Sequence, residues 1–129
     1  MEPSLLVHVH RNLPGNPDWE GSFYEQLVER GEWDESEFWL LHTELIQLAR
    51  SLEASREISK EIAHKLFKIY ARVLGLIAAH FDPNDLYVIE DIESSRLSAF
   101  KERLDSAFGG VFSGKIPPES SFTLKNPQL

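Results

Sequence analysis

The densest group of side chains able to do chemistry is His80-Phe81-Asp82-Pro83-Asn84-Asp85, an imidazole and two carboxylates within six residues. Such a set can take a divalent cation, or move a proton as an acid–base pair. The same residues also make an ordinary helix stop, with Asp82 and Asn84 bonding their own backbone and His80 capping the carbonyl end. His8-Val9-His10 would put two rings on one face of a strand, which leaves a metal short of a third ligand. His64 and His80, sixteen residues apart, fall about 160° from each other around a helix and cannot share an ion. His42 sits at the edge of an apolar helical stripe and reads as a packing residue. There is no Gly-rich phosphate loop, no Gly-x-Ser-x-Gly elbow and no His-Glu-x-x-His. With no cysteine, thiolate catalysis, disulfides and Cys-ligated zinc are excluded. No catalytic residue, cofactor or small-molecule substrate is implied.

The elements that position these groups are helical. The longest runs from a cap at Ser59 to the stop at Pro83. Lys60, Glu61, His64, Lys65, Lys68 and Arg72 share one narrow stripe, and the rest of that helix is apolar or small, so more than half its circumference expects protein neighbours. Before it, Phe23, Tyr24, Leu27 and Val28 have helical spacing ending at Gly31. Asp34 or Ser36 then caps a helix striped by Phe38, Leu41, Leu45, Leu48 and Leu52. After Pro83, Leu86 to Ile89 reads as a brief strand, a tight turn or a buried loop. A last helix from about Glu93 carries Leu97, Phe100, Leu104, Ala107 and Phe108 on one face and is expected to end at Gly109-Gly110.

The expected fold is all-α: one four-helix domain over residues 18–112 around a central third helix. Residues 1–17 form an extended N-terminal arm with strand-like alternation from Ser4 to His10, and residues 113–129 an irregular C-terminal tail. The predicted core is Phe23, Leu27, Trp39, Leu41, Leu45, Leu48, Leu66, Phe67, Tyr70, Leu74, Ile77, Phe81, Leu97, Phe100 and Leu104. The start of the chain lacks a basic n-region and a long apolar run, and the apolar half of the long helix is too short to cross a bilayer. A cytoplasmic protein with no membrane partner is expected.

Charge is unevenly distributed. The net charge is −8, which argues against nucleic acid as a direct partner, because that binding rests on Lys and Arg neutralising phosphates. Residues 18–37 hold eight acids against Arg30 alone, and residues 82–93 hold five acids and no base. The remainder is mildly basic. Trp19, Phe23, Tyr24, Trp33, Phe38 and Trp39 lie among the first block of acids. Carboxylates beside exposed aromatic rings would suit an interface with a basic protein.

The run from Phe23 to Trp39, Phe-Tyr-Glu-Gln-Leu-Val-Glu-Arg-Gly-Glu-Trp-Asp-Glu-Ser-Glu-Phe-Trp, together with His80 to Asp85, resembles small bacterial immunity proteins encoded beside polymorphic or contact-dependent growth inhibition toxins. The resemblance covers about residues 22–112. It implies a non-enzymatic cytoplasmic protein that binds and neutralises one cognate toxin domain, often a nuclease. The expected partner-binding residues are Glu29, Glu32, Asp34, Glu35, Glu37, Asp82, Asp85, Glu90 and Asp91. The alternatives are a metal-binding enzyme or sensor centred on His80, Asp82 and Asp85, and a helical adaptor protein.

Overall fold

A computed structural model describes residues 6–128, and the fold is all-α. Its helices are α1 (Val7–Arg11), α2 (Phe23–Arg30), α3 (Glu35–Leu52), α4 (Lys60–Phe81) and α5 (Ser94–Ser113), followed by a 3₁₀ turn at Glu119–Ser121. Three of the starts are capped as their sequences require. The Ser22, Asp34 and Ser59 side chains accept amide protons from Glu25, Glu37 and Ile62, which satisfies donors that a helix leaves open in its first turn.

The N-terminal residues differ from expectation. Residues 7–11 are helical rather than an extended arm, and Leu6 and Val9 are buried at helical, not strand, spacing. The cause is a long-range cap. Glu44 on α3 accepts the amides of His8 (3.0 Å) and Val9 (2.7 Å), placing a carboxylate on the positive end of α1. Buried Asn12 then ties α1 to α2, donating to the His8 carbonyl and accepting the Tyr24 amide. Residues 1–5 of the predicted arm lie outside the described residues.

The most extensive packing is between α3 and α5, which run side by side in the same direction. Phe100 meets Phe38 (4.8 Å between ring centroids) at one end, and Gly110 approaches Ala49 at the other. That contact explains why α5 continues through Gly109-Gly110 to Ser113. A Cβ on Gly110 would lie 3.4 Å from Ile116 and 3.7 Å from Ala49, ordinary contact distances, so Gly110 is packed inside the helix pair rather than ending a helix. The stop comes at Gly114, in the left-handed conformation. Phe23, Trp33, Phe38, Trp39 and Phe100 form one aromatic cluster at the heart of the core. The aromatic residues of the first acidic block are therefore interior, with Trp19 half-buried.

Helix α4 touches α1, α2 and α5 but lies to one side of the α3–α5 pair. It buries a single stripe, Ile62, Leu66, Ile69, Val73 and Ile77. Phe67 and Phe81, predicted to be core, are 66% and 49% exposed. Tyr70 and Leu74 are only partly buried.

The C-terminal tail lacks long regular structure but is fastened over a buried cation. Arg103 is 1% exposed, and its guanidinium makes paired bonds to the Glu119 carboxylate (2.6 and 2.7 Å). Its Nε donates to the Leu124 carbonyl, and its plane stacks on Phe122 at 3.9 Å. Phe122 is itself buried.

Candidate interaction surface

The expected partner-binding residues divide into three groups. Asp34, Glu35 and Glu37 have structural partners. Asp34 caps α3 and accepts a bond from Gln26, Glu35 is held in a bidentate pair by Arg96 (2.6 and 2.8 Å), and Glu37 pairs with Arg11. Asp82 and Asp85 are exposed, and each closes a turn by accepting an amide two residues on, from Asn84 and Tyr87. Glu29, Glu32, Glu90 and Asp91 are exposed and point to solvent.

The last group is drawn together by the backbone. Residues 31–32 and 89–91 form an isolated parallel bridge that pairs Glu32 with Glu90, with the Glu90 amide donating to the Gly31 carbonyl at 2.8 Å. The two acidic blocks, almost sixty residues apart in sequence, thus meet at one place. Two further bonds hold the 82–93 loop there. The Tyr87 hydroxyl donates to the Leu27 carbonyl on α2 (2.5 Å), and the Ile89 amide donates to His80 Nδ1 (2.9 Å). Burial, and then the neighbouring Tyr24, push the Tyr87 phenol up to about 12, so it remains a donor at any physiological pH.

With Tyr87 half-buried and Ile89 buried, the alternating residues Leu86 and Val88 face outward, 98% and 55% exposed. The run is neither a strand in a sheet nor a buried loop, yet it keeps the two-residue alternation of extended backbone. All four residues are apolar, so the sequence carried no signal that Leu86 and Val88, rather than Tyr87 and Ile89, face outward. The result is an apolar centre, Leu86 and Val88, on a loop anchored at three points and joined to exposed carboxylates.

His80, Asp82 and Asp85 do not gather into a metal-sized cluster. His80 Nδ1 is occupied by the Ile89 amide, and no group of three or more His, Asp or Glu among the described residues could hold an ion. A concavity of about 570 Å³ lies between α3, α5 and the tail, bordered by His42, Arg50, Arg103 and Glu119. Its best-placed cation, Arg103, is already paired with the tail.

Comparison of the chain with protein-family models, with curated proteins and with solved structures gives no match. No helix among the described residues is long and apolar enough to cross a membrane.

Proposed function

We propose that the chain is a non-enzymatic immunity protein that neutralises a cognate toxin domain, a nuclease by preference, through the surface joining α2 to the 82–93 loop. The observation that supports this most is the Glu32–Glu90 bridge, which sets two acidic blocks beside exposed Leu86 and Val88. An apolar centre with a charged rim is the usual anatomy of a specific protein interface. A nuclease needs a basic surface to hold phosphate, and carboxylates on a rigid loop can cover that surface while steering the encounter.

Co-expression with the toxin domain encoded beside it tests the reading. Wild-type protein should protect cells and co-purify with the toxin. Glu32→Lys with Glu90→Lys should slow association at low salt far more than at high salt, whereas Leu86→Asp should speed dissociation. Binding indifferent to all three substitutions would remove this surface from the interface. Failure of wild-type protein to protect or to bind would remove the function.

A further inference from the structure

The outward face of α4 is apolar from Phe67 onward, and nothing among the described residues packs on it. Phe67, Ala71, Gly75, Ala78 and Phe81 are all exposed, and Leu74 is partly so, on the side opposite the buried stripe of Ile62, Leu66, Ile69, Val73 and Ile77. Gly75 is unexplained by the monomer. It lies mid-helix with nothing within 4 Å of where a Cβ would stand, although alanine there would favour the helix by about 1 kcal/mol. Charge is also segregated along the helix. Lys60, Lys65, Lys68 and Arg72 occupy its first half against Glu61 alone, the segment from Val73 to Phe81 has no formal charge, and Asp82 and Asp85 follow its end.

We infer that this face pairs antiparallel with α4 of a second copy of the chain. A two-fold axis passing between Leu74 and Gly75 sets Ala71 against Ala78 of the other copy. The same operation lays Phe67 over the last turn of the other helix, which holds Phe81. It also brings Lys68 level with Asp82 of the other copy, the residue that ends the helix. An isologous contact repeats each of these pairings twice. Lys68, on the border of the face, then lies by the acidic end of the partner helix, whereas a parallel arrangement would set Lys68 beside Lys68. Small residues at the crossing let the two backbones approach closely, which gives Gly75 its reason. A helix pair of this length buries on the order of 1,000 Å², at the low end for specific association, so the dimer is a micromolar one. Asp82 also belongs to the loop proposed to meet the toxin, but dimerisation is read on the protein alone and succeeds or fails without it.

Sedimentation equilibrium from about 5 to about 500 μM covers that affinity range. Wild-type protein should show a monomer–dimer equilibrium that weakens as salt is raised from about 50 to about 500 mM. Ala71→Glu places a charge on exposed helix, so the circular dichroism spectrum should be unchanged while dimerisation weakens at least about tenfold. Lys68→Glu should weaken it too, and adding Asp82→Lys to the same chain should restore it. Three results overturn the inference: a monomer at every concentration, a dimer untouched by Ala71→Glu, or a double charge swap weaker than both single variants.

Discussion

Arg103 and His42 are two titratable side chains set in the core, and they respond differently to perturbation. His42 is 3% exposed, its Nδ1 has no hydrogen-bond partner among the described residues, and burial first and Arg103 second lower its pKa to about 4. The unfolded chain takes up that proton near pH 6.5, the folded chain only near 4. Acid therefore favours unfolding across this window. Stability present above about pH 6.5 should fall progressively towards pH 4, by roughly 3 kcal/mol. Urea denaturation of wild type and His42→Leu at about pH 7 and about pH 5 checks this, since the variant should lose much less on acidification. Arg103 depends instead on its partner. The guanidinium holds the Glu119 carboxyl below its usual range, and Glu119→Ala would leave a buried cation facing only a backbone carbonyl and aromatic rings. A cost of about 3 kcal/mol is expected at neutral pH by thermal or chemical denaturation. Arg103→Met in the Glu119→Ala background should recover part of it. The packing role of His42 was legible from its place at the edge of the apolar stripe of α3, and its burial agrees; the buried cation was not. Arg103 lies one position from Leu104 on the apolar face of α5, and only the returning tail reveals that it is interior.

At the scale of elements, the helices α2 to α5 and the caps at Asp34 and Ser59 were legible because each depends on residues within a turn or two of one another. Asp34 and Ser59 act where their spacing to the following helix put them, and Ser22 caps α2 without having been singled out. Local signals failed where a distant residue intervened. Glu44 caps an alternating Val-His-Val-His run as a helix, and Gly110 packs near Ala49 and Ile116 within α5 instead of ending it. The 82–93 loop is the element on which the candidate surface depends, and Gly31 is its docking point. A Cβ there would come within 2.5 Å of the Val88 carbonyl oxygen, at a backbone φ of +64°. Gly31→Ala should therefore cost about 1–3 kcal/mol and undock the loop. Hydrogen exchange at the Ile89 and Glu90 amides should accelerate more than exchange in α3. Equal acceleration in both would mean that the loop and the core open as one unit.

For the molecule as a whole, the two acidic blocks were legible as counts but not as a surface. Five of the nine expected residues have other tasks: three take part in capping or ion pairs, and two close turns. The remaining four converge through a single backbone bridge that no side-chain pattern encodes. The aromatic residues expected beside those acids went to the core, and the apolar centre came from Leu86 and Val88. The body of the fold thus separates its surfaces: acids with two aliphatic residues where α2 meets the loop, and an uncharged helical face along α4. The strap over Arg103 has a consequence for how the chain is made. Synthesis proceeds from the N-terminus, so the guanidinium of Arg103 leaves the ribosome before the carboxylate that neutralises it exists. Until Glu119 and Leu124 emerge, packing α5 onto α3 would bury an unpaired cation. A chain cut short before Glu119 should therefore close its core less stably than the full chain, because its buried arginine has lost both its carboxylate and its carbonyl partner.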